Sequence, residues 1–212
     1  MKKVILTLIL GLTISLTSIA QVNKHNVGVF VGSGITNTTT FIDIGMGYDF
    51  GLSYTYRFHK NFAISTGLDY DIRSYSLSST IETSSGVEEG FEFNNNFGFL
   101  SVPLLLNVNI GNKVKYFANA GVSLNYLLNY KQTSKIGEQT DVYYGKGYFN
   151  KFGIDLNIGI GVQFPLSDKV DLSVEARFKK GLSNLVKNPA EGSRKVTTSN
   201  ALLLMGLHYK LQ

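Results

Sequence analysis

The chain has 212 residues, enough for one ordinary domain, with 20 Lys and Arg against 15 Asp and Glu and a formal charge of +5. It contains no cysteine, which excludes a disulfide framework and thiol chemistry. Its basic residues are scattered over turns, loops and polar strand positions instead of forming a patch, so nucleic-acid binding is not expected.

Residues 1–20 read as a secretory signal peptide. Met1-Lys2-Lys3 is a basic start, residues 4–16 are an apolar run, and Ser18-Ile19-Ala20 puts small residues before a cleavage site. The expected mature chain, 21–212, starts at Gln21 and carries a formal charge of +3. No later segment is a candidate transmembrane helix, and the mean hydropathy is +0.04. A β-barrel hides in such an average, because polar and apolar residues alternate along its strands.

Residues 26–36 form the first expected strand, with Val27, Val29, Val31 and Ile35 on one face and Gly28, Gly32 and Gly34 on the other. Residues 44–58 form the second. Ile44, Met46, Tyr48, Phe50, Leu52, Tyr54, Tyr56 and Phe58 alternate with small or polar residues. After the tight turn His59-Lys60-Asn61, residues 62 to about 75 form the third strand. Residues 76–96 read as a long polar loop. The fourth strand, 97–110, contains Pro103, which cannot donate to a ladder, so a bulge or local break is expected there. Gly111-Asn112-Lys113 turns into a fifth strand, 114–130, and residues 131–150 read as a second long loop.

The clearest pattern follows. Phe152, Ile154, Leu156, Ile158, Ile160, Val162 and Phe164 alternate with Gly153, Asp155, Asn157, Gly159, Gly161 and Gln163. After the turn at 165–169, Val170, Leu172, Val174, Ala176 and Phe178 alternate with Asp171, Ser173, Glu175, Arg177 and Lys179. A period of two is the strand period. The first arm is long enough to cross a bilayer at a tilt, which takes roughly 9–11 residues. A third long loop, 181–198, leads to the last strand, 200–211.

Eight strands with alternating tight turns and longer loops predict an all-β fold: an eight-stranded antiparallel up-and-down transmembrane β-barrel, apolar outside and polar inside. No water in the hydrocarbon core can satisfy a free sheet edge, so the first strand must pair with the last. Outward aromatics gather in two bands, as interfacial girdles do. Tyr54, Tyr56, Phe62, Tyr116, Phe164 and Tyr209 lie near the turn end, and Tyr70, Tyr126, Tyr130, Phe152 and Phe178 near the loop end.

Three stretches carry a family resemblance: Phe99-Leu100-Ser101-Val102-Pro103-Leu104-Leu105-Leu106-Asn107, Ala176-Arg177-Phe178-Lys179-Lys180-Gly181-Leu182-Ser183-Asn184, and the ending Gly206-Leu207-His208-Tyr209-Lys210-Leu211. They resemble the PorT-like outer-membrane β-barrel family of Bacteroidota. The resemblance implies the barrel fold and makes Pro103 expected in the fourth strand. The family's usual final Phe is replaced here by Leu211-Gln212. Some members act in gliding and protein secretion.

The inward phase carries Asp49, Arg57, Asp69, Asp71, Arg73, Lys115, Asp155, Asp171, Glu175, Arg177 and Lys179. Such a set can serve as a proton relay or ion path. A packed polar core is the favoured reading, because eight strands barely enclose their own side chains and buried charges must pair. The three histidines, His25, His59 and His208, all map to the turn end. Without cysteine or a loop-end histidine, neither a hydrolase, a transferase nor a transition-metal site is expected. Asp43, Asp49, Asp69, Asp71 and Glu82 match no calcium-loop spacing, and Gly45-X-Gly47-X-X-X-Gly51 is not a phosphate loop. No catalytic, metal or cofactor-binding residue is therefore assigned, and no cofactor is expected.

The resulting expectation is a non-enzymatic barrel in the outer membrane of a Gram-negative bacterium, with both termini periplasmic. It would act as a structural or interaction protein through its extracellular loops. Its expected partners are outer-membrane lipid, the barrel-assembly machinery, and a protein or surface met by those loops. The alternatives are a narrow barrel transporting small solutes and an accessory factor in protein secretion.

Overall fold

The computed structural model describes residues 24–39, 44–82, 88–137, 139–188 and 195–211. The expected signal peptide and Asp43 lie outside these residues. Nine strands are present among the described residues: β1 (His25–Thr38), β2 (Gly45–Arg57), β3 (Phe62–Glu82), β4 (Glu88–Ile110), β5 (Lys115–Ile136), β6 (Gln139–Tyr144), β7 (Phe152–Pro165), β8 (Val170–Gly181) and β9 (Thr198–Leu211).

Eight of them close a ring in the order β1-β2-β3-β4-β5-β7-β8-β9, every neighbour antiparallel. Closure joins β1 to β9 from His25↔Leu211 to Thr38↔Thr198. The ring therefore leaves no edge for lipid to meet, as the lack of hydrogen-bonding solvent demands. The start of β1 and the end of β9, His25 and Leu211, pair at the end that carries the tight turns.

Alternation sets the two faces. On β1, Val29, Val31 and Ile35 are exposed; on β2, Met46, Phe50 and Leu52; on β9, Leu203, Met205 and Leu207. Residues between them point into the lumen. In water this exterior would be a continuous apolar patch; in a bilayer it is the lipid-facing band.

The structure corrects the first two long loops. β3 and β4 continue far beyond the expected limits and pair out to Glu82↔Glu88. β5 runs on to Ile136 and turns into β6, which among the described residues pairs only with β5, from Lys131↔Tyr144 to Ile136↔Gln139. The loop-end parts of β3, β4 and β5 with β6 thus form a four-stranded sheet standing beyond the ring. Its outward phase is polar. The Ser74 hydroxyl meets Asn96 Oδ1 at 2.5 Å, Ser76 bonds Asn94, and the Asn94 amide donates to Glu92 Oε1 at 2.8 Å. The change from Ile72 to Ser74 and Ser76 marks where lipid contact ends.

Two irregularities shape this half. The β3–β4 ladder stops after Thr66↔Leu104 and resumes at Asp69↔Ser101 with the same register. That is the local break expected at Pro103, with no bulge. Thr66 Oγ1 donates to the Pro103 carbonyl at 2.8 Å, so the carbonyl keeps a partner. The bulge lies instead in β5. Gly98 faces Asn129 while Phe99 faces Leu127, leaving Leu128 over. One extra residue reverses the phase, so Tyr130 points inward and is buried. Its expected place in the outer girdle is thereby corrected; Tyr70, Tyr126, Phe152 and Phe178 keep theirs on the outer face.

Candidate functional site

The lumen has three layers. At the turn end is a cavity of about 90 Å³, with Arg57, Asn107, Phe117, Gln163, Ser173 and His208 among its walls. Above it lies a layer of charge. Inward positions 49, 69, 71, 73, 155, 175, 177 and 179 are all buried. Lys179 Nζ donates to Asp49 Oδ2 at 2.6 Å and to Asp71 Oδ2 at 3.3 Å, and stands 3.9 Å from Asp69 Oδ2. β3 and β8 are opposite each other in the eight-strand ring, so the Lys179–Asp71 contact spans the bore. Arg73 donates to Asp71 at 2.7 Å and across to Asp155 at 2.6 Å. Arg177 forks onto Glu175 through Nε and Nη2 at 2.7 and 2.8 Å, and its guanidinium lies 5.6 Å from the Phe30 ring centre. The expected packed polar core is what these residues form.

Gly159 shows why small residues interleave with the charges. A Cβ there would stand 2.4 Å from Glu175 Oε1 and 2.6 Å from Asn119 Oδ1. Asn119 donates to that same carboxylate at 2.9 Å, so the glycine vacates the space that the Glu175–Arg177 pair occupies.

The third layer closes the loop end. Tyr75, Phe97, Phe99, Leu127 and Tyr130 form a buried cluster with Phe149 and Leu185 against it. Phe97 lies 4.8 Å from Tyr130 and 4.9 Å from Phe149, ring centre to ring centre. Arg73 lies 4.7 Å from the Phe99 ring centre and joins this plug to the charge layer.

One pairing was not legible in the chain. Ser173 Oγ and His208 Nε2 are 2.8 Å apart, contributed by adjacent β8 and β9. The neighbouring carboxylate, Asp171, accepts from Gln163 Nε2 at 2.9 Å and pairs with Lys210 at 2.7 Å. It is committed to those partners, leaving a serine–histidine contact without the carboxylate that orients a catalytic imidazole. His25 bonds the Tyr54 hydroxyl through Nδ1 at 2.7 Å, and His59 sits in the β2–β3 turn. No cluster of acids and histidines among the described residues has the makings of a metal site.

A family model described as an outer membrane protein beta-barrel domain matches residues 9–187. No curated protein matches the sequence. Among solved structures, Neisserial surface protein A is 16% identical; the match covers 89% of this chain and 97% of that one, with a TM-score of 0.54. Ail, the attachment invasion locus protein of Yersinia pestis, is 14% identical over 87% of this chain and 96% of its own, with a TM-score of 0.44. The outer membrane enzyme PagL is 15% identical over 84% and 97%, with a TM-score of 0.44. At such identities the likeness to Neisserial surface protein A concerns the fold alone. The closed ring, the apolar exterior and the family match over residues 9–187 lead to one conclusion: this chain belongs to the outer membrane protein β-barrel domain family and sits in the lipid of a Gram-negative outer membrane.

Proposed function

We propose that this barrel is a non-enzymatic surface recognition protein, a closed membrane anchor that holds the sheet made by β3, β4, β5 and β6 outside the cell. One observation carries the reading: the lumen is crossed by ion pairs and capped by the aromatic cluster, while three strands continue past it. β6 is exposed along its whole length and edges that sheet. Free strand edges and elements held on a rigid frame are where partners bind. Val142, Tyr143, Tyr144 and Tyr148 are exposed there, an aromatic surface suited to a protein or surface partner. The plug disfavours solute transport, and the engaged Asp171 disfavours catalysis by Ser173 and His208.

In this reading residues 1–20 are cleaved on export, the barrel-assembly machinery inserts the rest, and eight crossings leave both termini in the periplasm. The loop end then faces outward. Single cysteines in this cysteine-free chain test the reading directly. An impermeant maleimide on intact cells should label substitutions at Gly137 and Lys187 and miss those at Asn61, Asn112 and Asp168. A photo-crosslinker carried at Gly137 should capture a surface partner that one at Asn112 does not. Labelling at Asn112 with none at Gly137 would invert the topology and end the proposal.

A further inference from the structure

Every lysine and arginine of the central lumenal layer has a carboxylate partner. Among the described residues, one group of cations at the loop end has none. Between β6 and β7, and against the segment after β8, lies an open cleft of about 630 Å³ lined by Lys146, Phe149, Asn150, Lys151, Phe152 and Lys187. No acidic side chain lines it among the described residues.

The cleft is built on fixed structure. Phe149 pairs with Val186 in an isolated bridge, and Lys187 N donates to the Tyr148 carbonyl at 2.9 Å. Asn150 donates its backbone N–H to Leu185 O at 2.9 Å and its amide to Asn184 O at 2.8 Å. The Phe149 ring is anchored in the plug, 4.6 Å from Tyr130. These ties bring Lys187 beside Lys146 and Lys151 although the sequence separates them by a whole hairpin. Lys146 Nζ bonds the carbonyl of the bulge residue Leu128, and an ammonium has two further N–H donors. Lys151 and Lys187 are exposed.

The opposite wall is apolar and faces the membrane. Phe152 is 76% exposed at the first outward position of β7, and its ring lies 5.1 Å from Tyr126 of the loop-end girdle. A soluble anion would leave this wall unused. A ligand with an anionic head and an apolar body would satisfy both sides, at the depth where lipid headgroups lie.

We propose that this cleft binds a phosphorylated glycolipid of the outer leaflet, with Lys146, Lys151 and Lys187 around its phosphate and Phe152 against its acyl body. The proposal rests on the loop end facing outward for its biological setting. Its binding test does not depend on orientation, so the two can fail separately. The cleft would fix the barrel's depth and rotation in the leaflet and so orient the sheet above it.

The test is native mass spectrometry of the full barrel in detergent with lipid A, with dephosphorylated lipid A, and with lipid A plus inorganic phosphate. Lipid A should be retained. Lys151→Gln with Lys187→Gln should weaken it roughly 10- to 30-fold, from about one lysine's worth of surface attraction at each site. Lys113→Gln, in the turn at the far end, should match the unaltered barrel. Heat-modifiable gel migration verifies that each variant is folded. The dephosphorylated lipid should be lost as the double variant's ligand is, and millimolar inorganic phosphate should not displace lipid A. Equal retention by the folded double variant would overturn the site. Equal retention of the dephosphorylated lipid would overturn the phosphate assignment, and displacement by inorganic phosphate would replace the lipid with a free anion.

Discussion

Lys179→Met deletes the ammonium that Asp49 meets at 2.6 Å, Asp71 at 3.3 Å and Asp69 at 3.9 Å. Methionine keeps most of the stem's volume, so the change is chiefly one of charge. At an effective dielectric near 20, the 2.6 Å contact contributes about 6 kcal/mol before desolvation, and taking both ions out of water offsets several of these. Breaking a buried pair costs more than the pair's net contribution, because Asp49 and Asp69 stay buried without their cation, while Asp71 keeps Arg73. The expected loss is about 3–5 kcal/mol. Urea titration of the barrel in lipid vesicles, with the folded fraction read from heat-modifiable migration, measures it as a lower midpoint with an unchanged slope. Adding Asp49→Asn should restore part of the loss, as coupled residues do. A loss below about 1 kcal/mol would refute the reasoning, since it would mean that water reaches the layer and screens these ions as at a surface.

Leu156→Arg, on the lipid face of β7, should cost about 2–4 kcal/mol near the midplane or block insertion; unchanged stability in the same titration would contradict a bilayer around this band. Gly159→Leu should cost about 1–3 kcal/mol, because its Cβ would meet Glu175 and Asn119 inside contact distance, whereas Gly147→Ala, with nothing within 4 Å, should stay within about 0.5 kcal/mol. In planar bilayers the barrel should show no steady conductance of porin size; a large, stable, ion-selective current would mean that the plug opens and would promote transport over recognition.

The sequence alone determined the eight crossings, the phase of the inward charges on each, and the alternation of tight turns with longer connections. The reason is local. Where one strand face meets lipid and the other a filled lumen, every second residue is constrained, and the period is written along the chain. The same reason explains what was missed. Beyond Ser74 on β3, before Phe97 on β4 and after Tyr130 on β5, the outward residues no longer meet lipid; they become Ser, Thr, Asn and Lys, and a paired strand there looks like a polar loop. Tyr130 kept the outward phase on paper because the bulge at Leu128 exists only in register with Gly98 and Phe99. The contents of the lumen were legible residue by residue, but not who meets whom. Lys179 reaches Asp49 across 130 positions of sequence, and Ser173 finds His208 across 35. Lys187 joins Lys146 and Lys151 only through the bridge between Phe149 and Val186. Those partnerships are properties of ring closure and strand register, which no single strand's pattern contains, and the tertiary structure alone decided them.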